Sequence, residues 1–280
     1  MSVPQAIILV MPDAWESSSD AEEIAWAAGF VDAEGCFSFT LPASYAAVNV
    51  GQTHREPLDR LVNALGAGKV RGPFSMLSPN RPSKKDQFCF YAYGSRALRI
   101  AEELWRFLSG PKRQQVLHLR ECAFKFNPKV SRGLRPLGSQ GFTTRRQELA
   151  WAAGFFEGDG CFSYSTSIRG VCAAILQRDR EVLDHFLAIV GVGKVYGPYE
   201  RPEGGLGGKP FFQYRAHGFE KTQAIVAMLW FKLGTAKRKQ AIAVLAKRMR
   251  RCRRGHVLGT KHRGCPRCVA EAWARKRQVS

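Results

Sequence analysis

The sequence predicts an α+β protein built from two αββαββα repeats related by a pseudo-twofold axis. Their strands form a β-sheet saddle for DNA, and a small zinc-binding tail follows. Three observations predict this. A helix-forming stretch of small residues that ends in a carboxylate, a glycine and a strand occurs twice, over 24–38 and 149–163, with Gly35 and Gly160 in register at an offset of 125 residues. The segments after the two copies match nearly position for position. The chain also carries 43 basic against 23 acidic side chains, a net charge of +20 that favours a polyanionic partner, most simply nucleic acid.

Taken in order, residues 1–21 read as an arm, with Pro4, Pro12 and the run Ser17-Ser18-Ser19-Asp20 ending in a helix cap. Ala6–Met11 is apolar, but too short for a signal peptide and far below the roughly 20 residues of a membrane span. In the first helix Ile24, Ala27, Ala28 and Val31 fall at i, i+3, i+4 and i+7, so one face is expected to be buried. Leu149, Ala152, Ala153 and Phe156 repeat that stripe, and the Ala and Gly along both helices let two backbones approach closely. Cys36–Leu41 alternates, with Phe37, Phe39 and Leu41 toward the helices and Ser38 and Thr40 away. Pro42-Ala43-Ser44 turns the chain into a second strand, Tyr45–Gln52, with Val48 and Val50 inward and Asn49 outward. Pro57–Leu65 places Leu58, Leu61, Val62 and Leu65 on one helical face, and Gly66-Ala67-Gly68 stops it. Lys69–Phe74 and Gln87–Tyr93 are the third and fourth strands, on either side of a Pro/Ser/basic loop. Helices are expected over Ser95–Leu108 and Pro111–Phe126.

Repeat 1 therefore spans 22–126, and the Pro/Gly/Ser/Arg stretch 127–146 is a linker. Repeat 2 spans 147–250: Gln52 corresponds to Gln177, Leu58-Asp59 to Leu183-Asp184, Trp105 to Trp230 and Lys112-Arg113 to Lys237-Arg238. Each half carries a stripe it cannot bury alone, so the two should pack together. One face of each antiparallel sheet covers helices and the other faces solvent or a partner. Alternation gives the outward set as Ser38, Thr40, Asn49, Lys69, Arg71, Cys89, Tyr91 and Tyr93, then Ser163, Ser165, Lys194, Tyr196, Gln213, Arg215 and His217. Polar, basic and aromatic side chains on such a face suit base edges and phosphates of double-stranded DNA.

Glu34 and Asp159 end the two helices, where the helix dipole is already negative. Two such tips side by side repel, and a divalent cation shared with phosphate oxygens relieves the conflict. Asp32 and Glu157, two residues earlier, point elsewhere and read as structural or solvated.

The stretches Ala27–Gly35 and Ala152–Gly160, each continued by Gly-Cys-Phe, resemble the two motifs of a single-chain LAGLIDADG homing endonuclease, with alanine at 27 and 152 where the motif has leucine. The resemblance covers about 22–250. It implies a monomeric, Mg²⁺- or Mn²⁺-dependent endonuclease that cuts both strands of a long asymmetric site and leaves staggered ends, and that serves intron mobility. It also implies roles by position: Glu34 and Asp159 as metal ligands, aided by the carbonyls of Ala33 and Gly158; Lys112 and Lys237 in the basic pocket; and Gln52 and Gln177 orienting water, with Arg55 and Arg180 nearby. The competing reading is an RNA maturase or a non-cleaving DNA-binding regulator on the same scaffold. Retention of both acids and both lysines favours the nuclease.

The tail, 251–280, holds Cys252, His256, Cys265 and Cys268, a set that fits tetrahedral Zn²⁺ and resembles small zinc knuckles appended to some nucleases; His262 is the alternative imidazole. So short a segment would need the metal to fold. Cys36 and Cys161 read as buried strand residues. The scatter of the eight cysteines points to reduced thiols and an intracellular protein.

Overall fold

The computed structural model describes residues 20–41, 43–75, 85–127, 129, 132–165, 170–200, 210–248, 268 and 271. Two runs of elements follow one another. The first is α1 (Asp20–Glu34), β1 (Gly35–Thr40), β2 (Tyr45–Gln52), α2 (Glu56–Leu65), β3 (Lys69–Phe74), β4 (Gln87–Tyr93), α3 (Ser95–Leu104) and α4 (Gly110–Phe126). The second is α5 (Arg145–Asp159), β5 (Gly160–Ser165), β6 (Gly170–Gln177), α6 (Arg180–Val190), β7 (Lys194–Tyr199), β8 (Phe211–His217), α7 (Phe219–Leu229) and α8 (Thr235–Arg248). Each run makes one four-stranded antiparallel sheet, of order β1-β2-β4-β3 and β5-β6-β8-β7. The αββαββα pattern with a trailing helix is thus present twice.

Helices α1 and α5 lie against each other at the centre. A Cβ built on Gly29 would stand 2.0 Å from the Trp151 carbonyl oxygen, and one on Gly154 would stand 2.0 Å from that of Trp26. Only glycine allows backbones so close, which is why small residues fill both motifs. The expected single stripe is too modest: Ala25–Asp32 and Leu149–Glu157 are buried on every side. Each helix is covered by its twin on one flank and by its own sheet and surrounding helices on the rest, so amphipathic periodicity understates the burial.

Strand register sets which side chains share a face. In the first sheet Phe37, Val48 and Ala92 stand in one inward row, as do Val50, Phe90 and Val70. The outward rows include Ser38–Ala47–Tyr93 and Cys36–Asn49–Tyr91–Lys69. The second sheet repeats this with Ser163–Cys172–His217 and Cys161–Ala174–Arg215–Lys194. The expected outward residues whose side chains are described, all but Ser165, therefore occupy the outward face. Gln213 is nearly covered there, at 9% exposure beside Leu176 and Tyr196.

Three local readings change. Helix α3 ends at Leu104 rather than Leu108, because Trp105–Phe107 turn so that α4 can start at Gly110. Leu41 lies beyond the end of β1 and is exposed rather than inward. Cys36 and Cys161 are exposed rather than buried, since alternation puts the residue after each Gly on the outward face. Within the linker the Gly138 carbonyl accepts from the Trp105 indole at 3.2 Å, and that of Gly141 accepts from Arg106 at 2.8 Å. No helix among the described residues is long and apolar enough to cross a membrane.

Candidate active site

The close crossing carries both helix tips to one place. A Cβ on Gly158 would stand 2.5 Å from that of Ala33 and 2.9 Å from Cγ of Glu34, so the two motif ends touch. Glu34 and Asp159 are half-buried at these tips. Burial raises the pKa of Glu34. Burial, and then the negative charge of Glu34, push Asp159 up to about 7. Lys237 and Lys112 oppose both shifts, but burial outweighs them.

Each acid has a glutamine at the end of the second strand of its own sheet. Gln52 Nε2 donates to Glu34 Oε1 at 3.4 Å, and its Oε1 accepts from the Thr53 amide at 2.8 Å, which fixes the amide's orientation. Gln177 Nε2 donates to Asp159 Oδ2. The lysines close the constellation from the starts of α4 and α8: Lys112 Nζ donates to the Gly35 carbonyl, and Lys237 Nζ to that of Gly160, one residue past each acid. Burial lowers both lysine pKa values, while nearby carboxylates oppose that shift. The structure therefore brings together all six polar side chains singled out in the sequence, with the Ala33 and Gly158 backbone beside them. Arg55 and Arg180 instead form exposed ion pairs with Asp59 and Asp184, each at 3.1 Å.

A composite cleft lies beside Gln52 and Lys237, and neither Glu34 nor Asp159 lines it. About 240 Å³ in volume, it is lined by Gln52, Thr53 and His54 from the first repeat and by Glu157, Gly158, Lys237 and Gln240 from the second.

The sequence left Asp32 and Glu157 as structural or solvated and did not single out Gln115 or Gln240; the structure gives all four a supporting role. Asp32 is 6% exposed, not solvated. It accepts from the Ser109 amide at 3.0 Å, from the Ser109 hydroxyl at 2.7 Å and from the Trp151 indole at 2.8 Å. Burial raises its pKa to about 6 against those hydrogen bonds. Glu157, 3% exposed, accepts from the Gly234 amide at 2.8 Å. These acids tether the segments that lead into α4 and α8, and so place the two lysines. Gln115 Oε1 accepts from the Phe37 amide and Gln240 Oε1 from the Phe162 amide, both at 3.2 Å, pinning each lysine-bearing helix to an edge strand. The only signal was a glutamine three residues after each matched lysine.

The donor set suits a hard divalent cation. Two carboxylates are held together at a repulsive site, and among the described residues no third His, Cys, Asp or Glu joins them in a metal-binding group. That fits an ion that takes the rest of its shell from water and phosphate oxygens, as Mg²⁺ does, and not a protein cage. Of the tail residues, Cys252, His256, His262 and Cys265 lie outside the described residues, and Cys268 is half-buried; the zinc-knuckle reading therefore lies outside them too. The Ser165 side chain is likewise outside the description.

No family model and no curated protein sequence matches the chain. Solved structures do. The LAGLIDADG meganuclease I-AabMI bound to uncleaved DNA superposes with a TM-score of 0.54 at 16% identity, over 80% of this chain and 90% of that one. I-CpaMI bound to uncleaved DNA gives 0.49 at 16%, over 80% and 88%, and the I-LtrWI LAGLIDADG homing endonuclease bound to target DNA gives 0.47 at 15%, over 82% and 91%. At such identity the likeness is one of fold.

Proposed function

We propose that the protein is a site-specific, divalent-metal-dependent DNA endonuclease of the LAGLIDADG homing type, which cuts both strands of a long asymmetric site to leave staggered ends. One observation carries this reading: the meeting of two helix tips that present Glu34 and Asp159, each with its own glutamine and lysine. Glu34 and Asp159, with the Ala33 and Gly158 carbonyls, would hold Mg²⁺ or Mn²⁺. A bound cation of that kind supplies Lewis-acid stabilisation of phosphoryl charge and a more acidic water. Gln52 and Gln177 orient water beside the acids. Lys112 and Lys237, held by burial and backbone carbonyls, present ammonium groups to the charge that develops on phosphate. The outward sheet faces, with Lys69, Arg71, Lys194 and Arg215, supply the DNA-binding surface.

Four further parts of the proposal rest on the sequence alone: action as a monomer, a place inside the cell, service of intron mobility, and Zn²⁺ held in the tail by Cys252, His256, Cys265 and Cys268. Metal analysis of protein purified without chelator should find zinc, and its absence would remove the knuckle. For the nuclease, Mg²⁺ with a selected duplex should give linear cleavage. Asp159→Asn should keep binding while cutting of at least one strand falls on the order of a hundredfold or more. Undiminished cutting by the Glu34→Gln, Asp159→Asn double variant would sink the assignment. A maturase or regulator would bind without cutting, and nothing in its task calls for two acid–glutamine–lysine sets.

A further inference from the structure

Equivalent rows of the two outward sheet faces carry different chemistry. The row Cys36–Asn49–Tyr91–Lys69 in the first sheet corresponds to Cys161–Ala174–Arg215–Lys194 in the second. The thiol and ammonium ends are the same, and the centres are not. Tyr91 stacks on Tyr93 with ring centroids 6.0 Å apart, and Tyr93 meets Tyr45 edge-on at 5.4 Å, so the first face has an aromatic pad at its middle. At the matching place the second face has the half-buried Arg215, with small Ala174 beside it. No described residue accepts a hydrogen bond from Arg215 or pairs with it as a carboxylate. Among the described residues its fork of donors is unspent, and it stands on the inner strand β8, one strand in from the edge strand that carries the exposed Lys194.

We infer that Arg215 reads a guanine in the half-site beneath the second repeat, and that the half-site beneath the first has no guanine requirement at the equivalent step. The inference rests on the DNA-binding reading above. A guanidinium fork matches the N7 and O6 acceptors that guanine alone presents together in the major groove. The Tyr91 ring has no such fork and suits an apolar contact. A phosphate contact would explain Arg215 differently, since phosphates carry no sequence and a lost phosphate contact weakens all sequences alike. The central position and the two rim lysines favour base reading for Arg215 and phosphate contact for the lysines. The two halves then differ in what they demand of DNA as well as in their own sequences.

The test is selection of bound duplexes from a randomised library in Ca²⁺, by wild type and two variants. Wild type should enrich a G·C pair in one half-site without a counterpart at the mirrored step, preferred roughly tenfold or more. Arg215→Gln should move that one position toward adenine, whose N6 and N7 suit a glutamine amide. Tyr91→Arg should add a guanine at the mirrored step. A uniform loss of affinity in Arg215→Gln with an unchanged base preference overturns the inference, as does wild-type binding without base preference. Cleavage of the selected duplex in Mg²⁺ is scored separately: a duplex selected through Arg215 but never cut leaves this inference standing and removes the nuclease.

Discussion

The two flanks of the central helix pair descend from the same positions and are held by opposite means. On one, Lys232 is 3% exposed and lies 2.7 Å from Glu23 and 3.3 Å from Glu22. Arg60 grips Glu23 at 2.9 Å and covers the Trp26 ring at 4.0 Å, and Arg146 reaches Glu22 across the interface at 2.8 Å. At the offset of the duplication, Glu22 becomes Gln147, Arg60 becomes His185 and Lys232 becomes Phe107. The second flank is accordingly aromatic: Phe107 stacks on Phe142 at 5.4 Å, Phe142 on His185 at 5.8 Å, and His185 meets Trp151 at 4.7 Å. The Trp151 indole finds Asp32, whereas the buried Trp26 indole has no acceptor among the described residues. A pairing of two like halves would set charge against charge or ring against ring in the wrong register. The divergence therefore makes each half complementary to the other, as polar groups buried in helix interfaces do elsewhere when they fix register.

The largest effect should come from breaking the charged flank at its most buried member. Lys232→Met leaves Glu22 and Glu23 short of a cation inside the interface, and losing one partner of a buried pair costs about 3–5 kcal/mol. Phe107→Leu, at the corresponding place on the aromatic flank, keeps most of the apolar contact and should cost about 1.5 kcal/mol or less. Chemical denaturation of the two variants side by side measures the difference. Equal losses would mean that the network around Lys232 is no more than packing.

What the sequence made legible follows the same division. The duplication, the αββαββα order, the outward faces and the meeting of Glu34 with Asp159 were readable because each is local or repeats. Helix ends in acids, strands alternate and glycines mark the crossing. Gln52, Gln177, Lys112 and Lys237 were readable only because they recur at one offset. The flanks were not readable, because Lys232 and Phe107 occupy matched positions with unlike chemistry, and their partners are distant in sequence: Glu23 in the other half for Lys232, Phe142 in the linker for Phe107. Nor was the burial of Asp32 and Glu157, since a carboxylate near a helix end gives no sign of whether it meets water or a backbone amide from 77 residues away. Cys36 and Cys161, read as buried strand residues, are exposed, and strand alternation alone would have placed them outward.

A smaller effect sharpens the contrast through pH. Burial pushes the Glu23 pKa up, but the hydrogen bonds and charges of Arg60 and Lys232 outweigh it and hold Glu23 at about 2 against an ordinary 4.5. A carboxylate with a depressed folded pKa contributes stability that is fully present above its unfolded value and lost as pH falls through the folded one. The window here runs from about 4.5 down to about 2. The contribution is roughly 2–3 kcal/mol, discounted for the 27% exposure of the side chain. Unfolding free energy measured in chelator should therefore decline across that window in wild type, and less steeply in Glu23→Gln. Glu148, the equivalent of Glu23, pairs with Arg145 at 2.7 Å with side chains 36% and 53% exposed, an arrangement worth little. Glu148→Gln should change the unfolding free energy by about 1 kcal/mol or less. If Glu23→Gln leaves the acid slope of the wild type unchanged, the charged flank is not what sets the acid limit of the helix pair.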